Sequence, residues 1–149
     1  MQPQRASITS GVPYRKVTMR PFRSEDEGLL FGVAKLAFGE QDDRHTLTTL
    51  ERDTVFVAEL GGQPAGYVAV EESDGALRVE QLCVHPAHEE EGIGGQLLDW
   101  AEGYAIANGA ARLEIVVEAG NERAAAFYRR RGFVPAGPDL LELVLPQGA

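Results

Sequence analysis

Apolar and polar positions in the first third of this chain of 149 residues predict a tail, a strand and a helix. Residues 1–13 contain turn-forming residues with little periodicity, which indicates a tail, and residues 14–22 alternate weakly, which indicates a strand. Ser24 and Glu27 have the spacing of a capping box with Ser24 as N-cap, and the helix that begins there should end near Gly39. Its apolar stripe consists of Leu29, Leu30, Val33, Leu36 and Ala37.

The rest of the chain changes from strands alone to strands that alternate with helices. After a weaker helical candidate at residues 42–52, three runs predict an antiparallel meander, with strands at 54–58, 65–70 and 76–84. The following pattern predicts helices at 94–107 and 121–131 and strands at 113–117, 133–134 and 140–145. This order predicts one α/β (α+β) domain over residues 14–149, with a mixed sheet, a parallel step and helices on both faces.

Composition and charge narrow the function. The formal net charge is −9, which disfavours nucleic-acid binding through a basic face and suits a cationic or amine substrate. The single cysteine, Cys83, excludes an intramolecular disulfide and a cysteine-cluster metal site. No apolar run approaches the ~20 residues of a membrane span, and no secretory signal follows Met1. We therefore expect a cytoplasmic protein that binds neither membrane nor nucleic acid.

A glycine-rich turn joins the predicted strand 76–84 directly to a helix. Gly92, Gly94 and Gly95 allow close backbone approach, and the helix start offers unpaired N–H groups, so the turn is suited to a phosphate or pyrophosphate. A dinucleotide fingerprint does not fit, because Leu97 stands where its third glycine would be, and the chain contains no P-loop sequence. The alternative is a tight turn that needs its glycines for geometry alone.

Helix 121–131 offers a second candidate surface. Asn121 and Tyr128 are seven residues apart, which places them within ~20° of each other and about 10 Å apart along the axis. The small Ala124 lies between them, so a long ligand could lie along this face. The alternative is that Asn121 is only a cap and Tyr128 only an edge residue of the core.

Taken together, these segments resemble the GNAT superfamily of acetyl-CoA-dependent N-acetyltransferases. Residues 82–86, followed by Gly92-Ile93-Gly94 and Leu97-Leu98, are similar to that family's acetyl-CoA-binding motif. Residues 121–128 with Gly132-Phe133 are similar to its following motif, and residues 19–22 to its first strand. The resemblance implies a splayed parallel pair, strands 76–84 and 113–117, with coenzyme A in the gap.

The resemblance also implies a set of site residues. The cofactor-binding residues would be Leu82, Cys83, Val84, Glu90, Glu91, Gly92, Ile93, Gly94, Gly95, Asn121 and Tyr128. In this set, backbone groups of Cys83 and Val84 would contact the pantetheine and acetyl group, and amides from Glu90 to Gly95 would bind the pyrophosphate. One departure is that Glu89 and Glu90 stand where the family usually has Arg or Gln followed by Gly.

Three catalytic roles follow from acetyl transfer to an amine. The phenol of Tyr128 can donate a proton to the leaving thiolate, and the family implies the N–H of Val84 as oxyanion donor. Glu80, on the same strand face as Leu82 and Val84, is the best candidate base, although it could simply pair with Arg78. A water chain to Glu71, Glu72 or His45 is the other route for the proton.

The function expected is an acyltransferase that moves an acetyl group from acetyl-CoA to a primary amine by direct attack in a ternary complex. The alternative is a regulatory module with the same fold that binds coenzyme A weakly. The acceptor would be a small-molecule or peptide amine, and a homodimer remains open. His85 and His88 are expected in a surface loop without a metal site, and Cys83 as a small buried side chain rather than a nucleophile.

Overall fold

The protein, described here by a computed structural model over residues 14–39, 43–117 and 120–147, contains one seven-stranded mixed sheet. The strand order is β1-β2-β3-β4-β5-β7-β6. The strands are β1 (Thr18–Pro21), β2 (Thr54–Leu60), β3 (Gln63–Ser73), β4 (Ala76–Val84), β5 (Arg112–Val116), β6 (Val134–Gly137) and β7 (Leu140–Val144). The helices are α1 (Glu27–Phe38), α2 (Asp43–Arg52), α3 (Ile93–Ala107) and α4 (Glu122–Arg130).

Strand directions confirm the predicted mixed sheet. The pairs β1–β2, β5–β7 and β6–β7 are antiparallel. The parallel step joins β4 to β5, in a register that runs from Ala76 opposite Arg112 to Val79 opposite Ile115. The predicted tail at residues 1–13 lies outside the described residues. Within the described part of the chain, no helix is long and apolar enough to cross a membrane.

Two compact units make up the described residues. The first is drawn from Met1–Ala69 and Gln81–Asp99, and the second from Val70–Glu80 and Trp100–Ala149. The core of the first unit contains Leu30, Val33, Ala34, Leu50, Val55, Val57, Tyr67, Ala69 and Cys83. Buried side chains of the second unit include Leu113, Ile115, Tyr128, Phe133 and Leu141.

The start of α1 differs from the predicted capping box. Ser24–Asp26 form a 3-10 turn, α1 begins at Glu27, and the N–H of Arg23 donates to Asp26 Oδ2 at 2.7 Å. Asp26 replaces Glu27 as the acceptor because Arg20 holds its carboxylate in place through two hydrogen bonds of 2.7 and 2.8 Å. The hydrogen bond from Arg20 lowers the pKa of Asp26 despite its burial. The expected pairing of Ser24 with Glu27 was therefore wrong.

The buried face of α1 also differs from the predicted stripe. Leu29 and Leu36 are 58% and 65% exposed, whereas Leu30, Val33 and Ala34 are buried. The helix carries two apolar stripes about 100° apart, and local periodicity does not choose between them. Packing against the buried residues of β2 and β3 selects the stripe that contains Leu30.

Other helices and strands begin or end within a few residues of their predicted boundaries. β1 is shorter than predicted, β3 extends over 11 residues, and Phe133 precedes β6 instead of starting it. Turns at Gly61–Gly62 and Asp74–Gly75 lie between the three strands that the sequence predicted as a meander, and all four residues have positive φ.

Candidate active site

Strand β4 presents two faces at the predicted site. Val79, Gln81 and Cys83 are buried on one face, and Glu80, Leu82 and Val84 are half-buried on the other. This alternation confirms that Glu80 shares a face with Leu82 and Val84. Glu71, Glu72 and His45, the other candidates for receiving the amine proton, are exposed.

Arg78, the residue that could have paired with Glu80, contacts Glu114 instead. Its guanidinium donates to Glu114 Oε1 at 3.1 Å, and Arg112 donates to Glu114 Oε2 at 2.9 Å. Burial of Glu114 tends to raise its pKa, but the hydrogen bonds from both arginines outweigh burial, so the pKa is lowered. The carboxylate that neutralises Arg78 is therefore on β5.

The end of β4 is held against β3 by a backbone contact and a glycine. The N–H of His85 donates to the carbonyl oxygen of Ala65 at 2.8 Å. Because successive N–H groups of a strand point to opposite edges, the N–H of Val84 is directed away from β3. A Cβ on Gly66 would lie 2.5 Å from the carbonyl oxygen of Cys83, so only glycine allows this approach. Sequence reasoning missed Gly66, although a glycine inside a predicted strand was the available signal.

The turn after β4 contains His85, His88 and two positions with positive φ. His85 Nδ1 accepts a hydrogen bond from the N–H of Ala87 at 3.0 Å, and His88 Nδ1 lies 3.0 Å from Glu91 Oε1. The φ angles of Glu90 and Gly92 are 64° and 82°. Within the described residues, no three His, Cys, Asp or Glu side chains are grouped as metal ligands would be.

Two consecutive N–H groups are available where this turn enters α3. The carbonyl of Glu91 accepts from Arg15 at 2.8 Å, and the carbonyl of Gly92 accepts from the N–H of Gln96 at 3.3 Å. Within the described part of the chain, no group accepts a hydrogen bond from the N–H of Gly92 or of Ile93. Free N–H groups at a helix start, combined with the helix dipole, favour an anion.

Helix α4 has the predicted cap and a buried phenol. Asn121 Oδ1 accepts from the N–H of Ala124 at 3.2 Å, so the carboxamide oxygen of this exposed residue is used as the N-cap. Tyr128 is 8% exposed, and the rings of Phe127 and Phe133 contact its ring edge-on. Burial raises the pKa of Tyr128 to about 12. Because of this raised pKa the hydroxyl is neutral at physiological pH, and among the described residues it has no hydrogen-bond partner.

A buried polar network that the sequence did not predict lies beneath the end of β4. Tyr67 donates to Gln81 Oε1 at 2.7 Å, and Gln81 Nε2 donates to Thr46 Oγ1 at 3.2 Å. Burial also raises the pKa of the Cys83 thiol to about 12. Cys83 is thus a buried side chain, as the sequence predicted, and its raised pKa keeps the thiol protonated. The hydrogen-bond network joins α2 to β4.

The predicted site residues are divided between the two units. Leu82, Cys83, Val84 and the turn residues Glu90–Gly95 belong to the first unit, and Glu80, Asn121 and Tyr128 belong to the second. In the first unit the residues offer backbone donors, and in the second they offer side-chain groups. The fold and these groups define the class: an α/β protein with available backbone N–H groups in the turn between a strand and a helix.

The chain belongs to the acetyltransferase (GNAT) family, whose model matches residues 20–133. An uncharacterized N-acetyltransferase of Methanocaldococcus jannaschii is 32% identical over 90 residues. That match covers 56% of this chain but only 40% of the relative's length.

Solved structures with the same fold share little sequence with this chain. The PaiA N-acetyltransferase of Thermoplasma acidophilum, in complex with coenzyme A, has a TM-score of 0.77 at 19% identity, covering 86% of this chain and 98% of the other. A GNAT family acetyltransferase of Brucella melitensis, in complex with acetyl-CoA, has a TM-score of 0.68 at 23% identity, covering 91% and 95%. At this identity the likeness establishes the fold.

Proposed function

We propose that this chain is an acetyl-CoA-dependent N-acetyltransferase that moves an acetyl group from acetyl-CoA to a primary amine. The observation that carries the proposal is that the N–H groups of Gly92 and Ile93, where the turn after β4 meets α3, have no acceptor among the described residues. Membership of the acetyltransferase family and the coenzyme-bound neighbours support the same ligand.

The proposed coenzyme site uses backbone groups for the phosphates and for the thioester arm. Amides from Glu90 to Gly95 bind the pyrophosphate, and the backbone of Leu82, Cys83 and Val84 binds the pantetheine and acetyl group. The carboxamide oxygen of Asn121 caps α4, so its N–H₂ group is the part that contacts the pantetheine arm.

In the proposed reaction a neutral amine attacks the thioester carbonyl. The N–H of Val84, directed away from β3, donates to the oxyanion of the tetrahedral intermediate. The C–N bond forms, the C–S bond breaks, and Tyr128 donates its proton to the departing thiolate. The nitrogen's proton passes to Glu80, or through water to Glu71, Glu72 or His45, so both proton transfers have a named partner.

The acceptor in this proposal is a small-molecule or peptide amine. A net charge of −9 attracts a protonated amine to the surface. The amine loses its proton before attack, so the rate should rise with pH through the pKa of the bound amine. Assignment of residues 14–149 to one N-acetyltransferase domain, a cytoplasmic location and a homodimer all stay predictions.

Titration calorimetry of the whole chain with acetyl-CoA and with desulfo-CoA tests the coenzyme assignment. We expect both to bind, because the phosphate and pantetheine contacts do not need the sulfur. Absence of binding by both would overturn the proposal. A panel of amines, followed by thiol release, then separates the enzyme from the regulatory alternative, which binds coenzyme but acetylates no amine.

A further inference from the structure

Residues 14–17, which we call the N-terminal strap, cross the turn that enters α3. The N–H of Arg15 donates to the carbonyl of Glu91 at 2.8 Å. The strap precedes β1 in the chain, and the turn follows β4, so this contact joins segments that are distant in sequence. It also explains why β1 is shorter than its sequence pattern predicted.

The side chain of Gln96 forms hydrogen bonds to both the strap and the turn. Its Oε1 accepts from the N–H of Val17 at 3.0 Å, and its Nε2 donates to the carbonyls of Arg15 at 2.7 Å and of Gly92 at 3.2 Å. One carboxamide in the first turn of α3 therefore contacts both the strap and the turn.

Two side chains of the strap complete the contact. A Cβ built on Gly92 would lie 2.6 Å from Cδ1 of Tyr14, so the Tyr14 ring covers the α-carbon of this glycine. Arg15 Nη1 lies 3.9 Å from Glu91 Oε1, and the Arg15 side chain is half-exposed. The positive charge of Arg15 thus lies beside Glu91, the residue that follows Glu89 and Glu90 in the turn.

Peptide geometry connects these contacts to the anion donors. In a planar trans peptide the C=O and the next N–H point in opposite directions. Arg15 fixes the carbonyl of Glu91, which turns the N–H of Gly92 away from the strap. Gln96 fixes the carbonyl of Gly92, which directs the N–H of Ile93 away from the Gln96 carboxamide.

We infer that the N-terminal strap and Gln96 are positioning elements of the coenzyme phosphate site: they hold two carbonyls of the turn, so that the N–H groups of Gly92 and Ile93 face the pyrophosphate. This inference rests on the proposed function. It assigns the strap to the site, and it gives Arg15 the further role of partly neutralising Glu91 beside the phosphates.

Gln96→Leu tests the inference, because it keeps the side chain's size and removes all three hydrogen bonds. We expect acetyl-CoA to bind about tenfold more weakly, since each factor of ten is about 1.4 kcal/mol. The Michaelis constant for acetyl-pantetheine, which has the thioester arm but no phosphates, should not change. Gln63→Leu, at an exposed glutamine where β3 begins, is the matched control and should bind acetyl-CoA like the parent.

A backbone variant repeats the test without altering α3. Arg15→Pro removes the N–H that donates to Glu91, whereas Arg15→Ala keeps that N–H and removes only the charge. We expect Arg15→Pro to weaken acetyl-CoA binding about as much as Gln96→Leu, and Arg15→Ala about twofold at low salt. If Gln96→Leu does not fold, this pair decides the question.

The outcomes separate this inference from the proposed function. If the parent protein binds neither acetyl-CoA nor desulfo-CoA, the proposed function is contradicted. If the parent binds but Gln96→Leu and Arg15→Pro bind equally tightly, the strap has no role in the site. Equal losses for acetyl-CoA and acetyl-pantetheine would show a general structural role and overturn the inference.

Discussion

The turn after β4 and helix α4 contribute to the proposed reaction through different parts of the chain. In the turn, the useful groups are backbone N–H groups of Gly92 and Ile93, while the neighbouring side chains are glutamates. In α4, the useful groups are side chains, above all the buried phenol of Tyr128. Backbone donors cannot be removed by truncating a side chain, whereas removal of a single oxygen atom eliminates the hydroxyl of Tyr128.

This difference determines which substitutions are informative in each region. The turn should respond to changes that alter backbone conformation or add a Cβ, and to the charge around it. Helix α4 should respond to loss of the hydroxyl, with little effect on coenzyme affinity. The predictions below test this contrast, beginning with the largest effect.

Tyr128→Phe removes only the hydroxyl and should lower kcat by ~10²-fold or more, with little change in KM for acetyl-CoA. The ring contacts with Phe127 and Phe133 remain, so the fold should be retained. Tyr104→Phe on α3 is the matched control. Steady-state kinetics with a good amine acceptor measures both, and an unchanged kcat would show that the thiolate leaves without Tyr128.

The pH profile gives a second test of Tyr128. Because burial raises its pKa to about 12, the phenol stays protonated throughout the range in which the amine becomes neutral. The kcat of the parent should therefore not fall between pH 8 and 10 through ionisation of this group. An alkaline fall that disappears in Tyr128→Phe would contradict the raised pKa.

Gly92→Ala should weaken acetyl-CoA binding by about tenfold, because the added Cβ is incompatible with the backbone of the turn. Its φ is 82°, and the new atom would lie 2.6 Å from the Tyr14 ring. Gly103→Ala, in α3 with no atom within 4 Å of the new Cβ, is the control and should bind normally. Titration calorimetry distinguishes them, and equal affinities would show that the turn does not bind the coenzyme.

The features that the sequence could predict are those that depend on nearby residues. Caps, glycine turns and strand alternation depend on neighbouring residues, so the Asn121 cap, the 76–84 strand and the shared face of Glu80 and Val84 were confirmed. The order of the elements also came from the pattern of apolar and polar positions, and the resemblance to a family added the splayed parallel pair and the site residues. These are the local parts of the fold.

Contacts between distant segments could not be predicted in this way. The hydrogen bonds of Gln96 to Val17 and Arg15 span 79 and 81 residues, and a glutamine in the first turn of a helix has no periodic signal. The choice between two stripes on α1 likewise depended on packing against β2 and β3, and the choice of Asp26 over Glu27 depended on Arg20 in the preceding strand. One signal was present but missed, the glycine at position 66 inside a strand.

Glu89→Arg should tighten acetyl-CoA binding by about tenfold at low salt, because it places a cation where the family usually has one. Glu89 is exposed, so the gain should disappear near 1 M salt, where the Debye length is ~3 Å. Glu51→Arg on α2 makes the same charge change at an exposed position outside the site. Equal small gains from both variants would mean that net charge alone is responsible.

Glu90→Gly is expected to have the smallest effect, and it separates the backbone of the turn from its charge. Glu90 has a φ of 64°, a left-handed conformation that costs an L-residue roughly 1–2 kcal/mol and that glycine adopts without this cost. Part of the stability gained by glycine is lost again, because glycine has more conformational freedom in the unfolded chain. Glu90→Ala removes the same carboxylate but keeps the Cβ. We expect Glu90→Gly to be more stable than Glu90→Ala by about 1 kcal/mol in denaturant unfolding. Both variants should show the same small gain in acetyl-CoA affinity, because they lose the same charge. If Glu90→Ala is as stable as Glu90→Gly, position 90 does not require the left-handed conformation, and the turn depends on charge more than on backbone geometry.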